Sequence, residues 1–348
     1  MRNSIIKLDL KYITNENLPW ESLKNKTFLV SGASGFLPAY IIETLLYLNE
    51  TRQLNIQIIG LVRSLEKAYA RFPHYNNRNL NIIQQDVCDA IIIEERVDYI
   101  VHAASQATPK VFQTDPVGTI LPNVIGTNNL LKLAVEKKVE CFLFFSSSGV
   151  HGYVDESLYP IKEDCYGYLD PTNLASCYLE SKRMGENMCI AWMHQYGAPI
   201  KIVRPAITYG PGMKLDDGRS FADFVSKIVN YQDIEIYSDG TALRNFCYLA
   251  DATLGFFTVM LRGKVGEPYN IATDHEISIL DLARLLVDKV FPELNLKVVM
   301  KNDPSRNYLR TNYLRTTVDI TKAKMLGWKL NFSIEEGFKR TVQSCRER

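Results

Sequence analysis

Short β-rich runs alternate with helix-length segments over the first two hundred residues of this chain. The apolar runs lie at 27–30, 56–62, 80–84, 99–102, 142–145 and 200–203. Between them, apolar residues recur every three or four positions, notably at 39–48, 120–138 and 176–196. This alternation predicts βαβ units and a parallel sheet covered by helices on both faces. The predicted fold class is therefore α/β with a doubly wound sheet.

The alternation stops after Arg204-Pro205. Loops rich in Gly, Pro and Asp follow at 209–212 and 216–218, and the later helices and strands keep no strict order. We therefore predict three parts of the chain. They are an N-terminal extension (1–26), a Rossmann domain that binds NAD(P) (27–204), and a smaller α+β lobe that mainly binds substrate (205–348).

The composition excludes several classes of function. The 348 residues include 40 basic and 39 acidic side chains, a net charge of +1, which argues against nucleic acid or an anionic membrane as partner. No run of 18 apolar residues and no apolar signal core is found, so a cytoplasmic protein is expected. The seven cysteines form no C-x-x-C pair, which predicts reduced thiols and no metal site.

A glycine-rich turn, Ser31-Gly32-Ala33-Ser34-Gly35, directly follows the first predicted strand, and a helix is expected from about Pro38. Alone, two glycines are equally typical of a structural turn. Between a strand and a helix, they let the backbone approach a pyrophosphate at the helix N-terminus. The turn therefore predicts a dinucleotide site that includes Gly32, Ser34, Gly35, Phe36 and Leu37.

The ends of the second and third strands bear on the choice of nicotinamide cofactor. An acidic residue after the second strand would bind the ribose 2′-hydroxyl of NAD, but this chain has Arg63 there. A guanidinium suits a 2′-phosphate, so NADP is favoured and NAD stays open. Asp86, followed by Val87, is a candidate for the adenine amino group, and a simple turn residue is the alternative.

Tyr178 and Lys182 are four residues apart in a predicted helix, which puts them on one helical face. A phenol has a pKa near 10, and nearby positive charge favours the phenolate that can act as a base. A surface pair is the alternative reading. The cluster Ser146-Ser147-Ser148 ends the fifth strand, at the sheet edge where open α/β sheets bind ligands. A hydroxyl there can donate to a substrate oxygen.

These motifs together resemble an extended short-chain dehydrogenase/reductase of the nucleotide-sugar epimerase/dehydratase family. The resemblance rests on G-A-S-G-F-L (32–37), V-H-A-A (101–104), N-V-I-G-T (123–127), F-S-S-S-G-V-H-G (145–152), Y-L-E-S-K (178–182), R-P to Y-G-P-G (204–212), G-T-A-L-R-N-F-C-Y (240–248), L-G-W (326–328) and E-E-G-F (335–338). It extends from about residue 26 to the end of the chain.

The resemblance implies a Ser147/Tyr178/Lys182 catalytic triad and a tightly bound NAD(P) that transiently oxidises a sugar hydroxyl, usually at C4. It implies further cofactor contacts from Ala103, Ala104, Ser105 and Pro205, besides Tyr178 and Lys182. It also implies a nucleotide-diphosphate sugar as substrate, with Arg244 and Arg219 on the diphosphate and Ser147, Ser148 and His151 near the sugar. A homodimer and a place in polysaccharide biosynthesis are expected on the same ground.

Four positions depart from the family pattern. Dehydratases and decarboxylases of the family resemble one another in carrying an acid just before the Val of the V-Y-G stretch, where this chain has Ser148 and Gly149. His151 replaces the usual tyrosine, and Ile207 stands where many members have a substrate-binding Asn. Other stretches, such as 115–119, look closer to the dehydratase and decarboxylase branch.

The first hypothesis is a nucleotide-sugar 4-epimerase, since that reaction needs only the triad and a bound cofactor. The alternatives are a 4,6-dehydratase or UDP-glucuronate decarboxylase, a ketoreductase that exchanges its cofactor, and, in another class, a catalytically quiet binder of dinucleotide or sugar nucleotide. The sequence leaves these open.

Overall fold

A seven-stranded parallel sheet lies at the centre of the fold. The computed structural model describes residues 2–73, 79–301 and 314–347, so Met1, 302–313 and Arg348 of the predicted terminal parts lie outside the described residues. The strands are β1 (Thr27–Ser31), β2 (Gln57–Val62), β3 (Leu80–Gln84), β4 (Tyr99–His102), β5 (Cys141–Phe145), β6 (Ile200–Pro205), β7 (Ile207–Tyr209), β8 (Ile234–Ile236), β9 (Leu243–Arg244), β10 (Phe246–Tyr248), β11 (Pro268–Ile271), β12 (Ile277–Ser278) and β13 (Val298–Met300).

The order of the main sheet is β11-β6-β5-β4-β1-β2-β3, and every pair is parallel. The predicted α/β class and all six predicted strands are confirmed, with ends that differ by about one residue. The seventh strand, β11, comes from beyond residue 205 and pairs with β6. Part of the C-terminal segment therefore completes the sheet, and the proposed division into domains stays a prediction.

The helices cover both faces of this sheet. They are α1 (Ser4–Asn15), α2 (Phe36–Arg52), α3 (Leu65–Arg71), α4 (Pro109–Thr114), α5 (Pro116–Leu121), α6 (Thr127–Lys137), α7 (Cys177–Tyr196), α8 (Ser220–Val229), α9 (Leu249–Arg262), α10 (Ile279–Arg284), α11 (Thr321–Met325) and α12 (Ile334–Arg346). A π-helical turn, Pro122–Gly126, joins α5 to α6. Of the helices in the described ranges, none is long and apolar enough to cross a bilayer.

Two apolar cores explain why the strands are apolar at nearly every position. Neighbouring residues of one strand point to opposite faces, so Val30 packs into one core and Leu29 into the other. Val101 and Ile100 of β4 divide in the same way. Burial on both faces is the pattern expected of a parallel sheet covered by helices.

The N-terminal extension packs against its own chain through α1, which contacts α2, α9 and α12. Its Asp9 is fully buried and accepts hydrogen bonds from the phenols of Tyr40 (2.8 Å) and Tyr248 (2.7 Å) and from Arg340 (3.0 Å). Tyr40 lies on α2, whereas Tyr248 and Arg340 belong to the C-terminal part. Residues 1–26 thus join the helix after the glycine turn to the C-terminal part of the chain.

We expect Asp9→Ala to lower the free energy of unfolding by about 3–5 kcal/mol, because it removes the charged acceptor of a buried ion pair and of two buried phenols. Urea denaturation measures the change. Lys11→Ala, on the exposed face of the same helix, is the matched control and is expected to cost less than about 0.5 kcal/mol. Equal effects of the two substitutions would contradict the bridging role of Asp9.

Candidate active site

The glycine turn lies against the end of β4. Gly32 has a φ of +67°, and a Cβ atom on it would lie 2.8 Å from the Cα of Ala104, so only glycine fits without displacing the backbone. Gly35 donates its N–H to the Gly32 carbonyl (2.7 Å) and immediately precedes α2. Ser34, Phe36 and Leu37 are partly exposed there. Helix N-termini bind anions, so the turn can hold a pyrophosphate.

Buried hydroxyl groups beside this turn fit a dinucleotide. Among the described residues, the side-chain oxygens of Ser105 and Ser146 are buried and have no hydrogen-bond partner within the protein. Such groups are costly unless a ligand or water satisfies them. Ala103, Ala104 and Ser105 follow β4, and Pro205 ends β6 at the same sheet edge. Orphaned hydroxyls and the close backbone approach together fit NAD(P) at this edge.

The three residues predicted to contact the adenosine half of the cofactor lie in different surroundings. Arg63 is exposed just after β2, where a ribose phosphate can reach it, and its carbonyl accepts from the Gln84 side chain. Asp86 accepts from the Cys88 N–H (2.9 Å), as a turn residue does, and Val87 is buried against Gly126. The structure therefore gives Asp86 and Val87 structural contacts, while Arg63 stays open to a ligand.

The structure brings Ser147, Tyr178 and Lys182 together. Ser147 follows β5 and hydrogen-bonds the Tyr178 phenol. The ammonium of Lys182 lies 5.9 Å from the centre of the Tyr178 ring and donates to the Phe145 carbonyl (2.6 Å). The helix thus presents the tyrosine and the lysine to the end of β5, as the i, i+4 spacing predicts.

Burial governs the proton affinities of this group. It raises the pKa of Tyr178, and the Ser147 hydrogen bond and the charge of Arg219 oppose that rise. Burial also lowers the pKa of Lys182, to about 7. Arg219, which the resemblance puts on the substrate diphosphate, is thus a cation whose charge acts on the phenol. A phenol in this setting needs further positive charge before it can serve as a base near neutral pH.

Two apolar side chains near the triad escaped the sequence analysis. Phe112 of α4 stacks almost parallel on the Tyr178 ring, with ring centres 5.0 Å apart. Leu179 fills the space beside Gly149, where a Cβ atom would lie 2.5 Å from a Leu179 methyl group and 3.5 Å from the Ser147 hydroxyl. Neither role can be recognised from spacing, because both depend on packing between distant segments.

The predicted diphosphate arginines lie in two different groups. Arg244 is buried. Burial raises the pKa of the Tyr159 phenol, and the charges of Arg315 and Arg244 oppose that rise. Arg315 stacks on the Tyr159 ring at 5.1 Å and makes two 2.8 Å bonds to Glu276. Arg219 instead pairs with Asp217 (2.5 Å) and stacks on Phe221. The sequence analysis missed Arg315, which lies about 70 positions after Arg244.

The expectation that His151 contacts substrate needs correction. The ring is 1% exposed, and its nitrogens lie 2.8 Å from the Cys165 carbonyl and 3.1 Å from the side-chain oxygen of Asn270. Both nitrogens are therefore engaged within the protein. Burial, with the charge of Arg204, lowers the pKa of this histidine. His151 is a hydrogen-bonded structural residue, whereas Ser148 is partly exposed at the start of a short 3₁₀ turn.

A buried ion pair holds the helix that carries Tyr178. Arg204, at the end of β6, makes bonds of 2.8 and 2.6 Å to the Glu186 carboxylate of α7. The same guanidinium donates to the Glu163 carbonyl (2.7 Å) and to the Tyr166 phenol (2.9 Å). Four bonds from one buried guanidinium satisfy its charge and fix α7 on the sheet.

The comparisons with known proteins agree with this fold. A sequence model of the NAD dependent epimerase/dehydratase family matches residues 28–272. UDP-glucuronic acid decarboxylase 5 of Arabidopsis thaliana is 33% identical over 318 residues, 90% of this chain and 87% of the relative. UDP-glucuronic acid decarboxylase 1 of Danio rerio is 30% identical, over 99% of this chain and 78% of the relative.

Two solved structures share the fold. Thermotoga maritima UDP-glucose 4-epimerase with UDP-glucose is 24% identical, with a TM-score of 0.78 over 92% of this chain and 99% of that one. Streptomyces venezuelae dTDP-glucose 4,6-dehydratase, DesIV, with NAD and TYD bound is 25% identical, with a TM-score of 0.77 over 92% and 97%.

The fold and the Ser/Tyr/Lys group define a nicotinamide-dependent enzyme of the short-chain dehydrogenase/reductase type. The chain belongs to the NAD dependent epimerase/dehydratase family, whose model spans most of its length. It is therefore an enzyme of the nicotinamide-dependent epimerase/dehydratase class, as the resemblance of its motifs implied.

We expect the buried ammonium of Lys182 to leave a signature in the pH dependence of stability. Its folded-state pKa of about 7 lies below the ordinary 10.5, so unfolding takes up a proton between pH 7 and pH 10. The free energy of unfolding of the wild type should therefore rise over that range relative to Lys182→Met, since each pKa unit corresponds to about 1.4 kcal/mol.

Urea denaturation of dinucleotide-free protein at several pH values measures this difference. Lys201→Met serves as matched control, because Lys201 also donates to a main-chain carbonyl, that of Met260 (2.6 Å), outside the site. A difference between wild type and Lys182→Met that stays constant from pH 7 to pH 10 would contradict a lowered pKa for Lys182.

Proposed function

We propose that the protein is a nucleotide-sugar 4-epimerase. The observation that carries the proposal is the packing of Leu179 against Gly149 beside Ser147. Dehydration and decarboxylation need an acid or base near C5 and C6 besides the triad. Here Gly149 has no side chain that could carry a proton, and the end of the apolar Leu179 side chain packs beside it. Epimerisation at C4 needs no such group.

The triad supplies the proton chemistry of this reaction. Tyr178 takes the proton of the C4 hydroxyl, and Ser147 donates a hydrogen bond to the same oxygen. A nicotinamide held at the Gly32–Gly35 turn would supply the acceptor for the C4 hydride and the donor that returns it to the opposite face of the keto sugar. Tyr178 then gives its proton back, so the sugar leaves with an unchanged mass. Lys182 and Arg219 add the positive charge that favours the phenolate.

The basic groups suit a nucleotide diphosphate. Arg244 and Arg315 lie together around Tyr159 and offer planar guanidinium groups, which bind phosphate oxygens in pairs. Because the relatives from Arabidopsis thaliana and Danio rerio are named UDP-glucuronic acid decarboxylases, UDP-glucuronic acid is the first substrate to test.

A UDP-glucuronic acid decarboxylase is the second candidate. The identity of 30–33% with decarboxylases over nearly the whole chain favours it. In that reaction the 4-keto sugar loses its carboxyl group as carbon dioxide, and a proton from a protein group replaces it. The described residues beside Ser147 offer Gly149 and Leu179 where a proton donor would be expected, which is why we rank this candidate second.

We expect turnover of UDP-glucuronic acid in heavy water to give a product of unchanged mass, inverted at C4 and without deuterium at C5. Proton NMR and mass spectrometry measure this. Tyr178→Phe should retain the substrate's binding affinity and lose at least a thousandfold in turnover, because it lacks the phenol that exchanges the proton.

Other outcomes of the same experiment point elsewhere. Release of carbon dioxide or water with uptake of solvent deuterium would exclude the epimerase. Net reduction of added NAD(P), or of a keto sugar, would indicate a reductase. No reaction with a panel of UDP-, dTDP-, GDP- and CDP-sugars, together with an unaffected Tyr178→Phe variant, would indicate a quiet binder.

We propose that the resident cofactor is NADP, with NAD as the alternative. The exposed Arg63 after β2 supports a 2′-phosphate contact, and no acid stands there to repel it. The solved structure of DesIV, which holds NAD, favours the alternative. Chromatography of the dinucleotide released on denaturing the purified protein distinguishes the two.

We propose a homodimer formed through α5, the Pro122–Gly126 turn and α7. These adjoining elements expose apolar side chains in the single chain, namely Val117, Leu121, Ile125, Met184 and Ile190. Apolar groups that collect on neighbouring helices are typical of subunit interfaces. A second copy of the chain covers them in a symmetric arrangement, in which each copy uses the same face.

We expect Met184→Asp to convert the dimer to a monomer, since a buried unpaired carboxylate opposes the interface. Sedimentation velocity measures the mass. Met325→Asp, at an exposed methionine on α11, is the control and should leave the dimer intact. A monomeric wild type, or a dimeric Met184→Asp variant, would contradict the proposed interface.

We further propose that the protein works in the cytoplasm and in polysaccharide biosynthesis, with residues 205–348 mainly binding substrate. The seven cysteines are scattered along the sequence and form no C-x-x-C pair, which supports a reducing compartment.

A further inference from the structure

A buried chain of hydrogen bonds begins at the cofactor cradle, the backbone at the ends of β1 and β4. The hydroxyl of Ser31, the last residue of β1, lies 3.1 Å from the main-chain nitrogens of both Ala103 and Ala104. It also lies 2.8 Å from Nδ1 of His102, its partner in the parallel register of β4. His102 in turn contacts the Thr127 hydroxyl through Nε2 (3.0 Å).

The hydrogen-bond partners determine which group is the donor at each step of this chain. Two N–H groups donate to the Ser31 oxygen, so its own proton goes to Nδ1 of His102. The ring then carries its proton on Nε2 and donates it to Thr127, whose hydroxyl donates to the Asn123 carbonyl (2.6 Å). Burial lowers the pKa of His102 to about 3, so the ring stays neutral and keeps this direction at ordinary pH.

The chain continues to the catalytic helix. The side chain of Asn123 donates to the Ser181 hydroxyl (3.0 Å), and Ser181 donates to the main-chain carbonyl of Tyr178 (2.8 Å). Asn123 lies in the π-helical turn Pro122–Gly126, which packs against α7. Two parts of the site that are far apart in sequence, the cradle and the tyrosine, are thereby joined through polar side chains in the interior.

We propose that His102 is a positioning residue for the dinucleotide. Through Ser31 and Thr127, it fixes the cradle formed by the ends of β1 and β4 relative to the Pro122–Gly126 turn, which packs against α7. Ser31 can accept from both Ala103 and Ala104 only while its proton has an acceptor in His102. Without that acceptor the Ser31 hydroxyl has to turn its proton elsewhere, which displaces it from the two N–H groups, and the segment against Gly32 is free to shift. The inference rests on the cofactor site and not on which sugar reacts.

Calorimetric titration of dinucleotide-stripped protein with NAD and with NADP tests the proposal without any sugar. We expect His102→Leu and Ser31→Ala each to raise the dissociation constant for the dinucleotide at least tenfold. Ser31→Ala removes the acceptor of both N–H groups, and His102→Leu leaves the buried Ser31 proton without an acceptor. His102→Asn, which offers an acceptor near the position of Nδ1, should stay within about threefold of wild type. The double variant should be no weaker than either single variant, since both break one chain.

A matched control separates positioning from general destabilisation. Thr127 and Thr258 are both buried and both donate to the carbonyl four residues earlier, but only Thr127 also contacts His102. If the two variants have equal melting temperatures, Thr127→Val should weaken dinucleotide binding several-fold, whereas Thr258→Val should leave it unchanged. If His102→Leu does not fold, this pair of variants carries the test.

Two results would overturn the proposal. One is that folded His102→Leu binds the dinucleotide as tightly as the wild type does or, where that variant does not fold, that Thr127→Val does so. The other is an equal loss of affinity in Thr127→Val and Thr258→Val. Failure of the wild type to bind either dinucleotide would instead contradict the cofactor site itself, and a bound dinucleotide without sugar turnover would contradict only the proposed reaction.

Discussion

The site depends on the ion pair between Arg204 and Glu186. The Arg204 side chain is fully buried, and removing such a charge from water is costly unless every donor finds an acceptor. Here the guanidinium bonds the Glu186 carboxylate, the Glu163 carbonyl and the Tyr166 phenol. Since Glu186 is on α7, the pair sets where the helix lies on the sheet, and with it where Tyr178 and Lys182 meet Ser147.

Further polar contacts link this pair to the second lobe. The Glu163 carboxylate accepts from the Asn270 N–H on β11, and Asn270 bonds His151 and the carbonyls of Ile161 and Asp319. These directional bonds lie where the sheet meets the loops of the C-terminal part. Apolar packing holds the layers together, whereas buried polar groups specify how the loops over the site are arranged.

The sequence predicts those parts of the fold that follow from local patterns of residues. The βαβ alternation, the glycine turn and the Tyr178–Lys182 spacing each follow from residues a few positions apart. β11 was missed because Pro268–Ile271 is short and follows a region without alternation, and it becomes a strand only beside β6. The burial of His151 could not be predicted, because it depends on Asn270, over a hundred positions away. Arg315 and Leu179 likewise gain their roles from tertiary contacts.

The contact between Gly149 and Leu179 also bears on how such a site can evolve. An ancestor with an acid at position 149 would need a smaller or differently placed side chain at 179, because the two would collide. With glycine and leucine in place, an acid at position 149 fits only if the Leu179 side chain turns aside or is replaced. Chemistry at C5 therefore depends on two neighbouring positions of this chain together, and a gain of the acid at one of them is coupled to a rearrangement at the other.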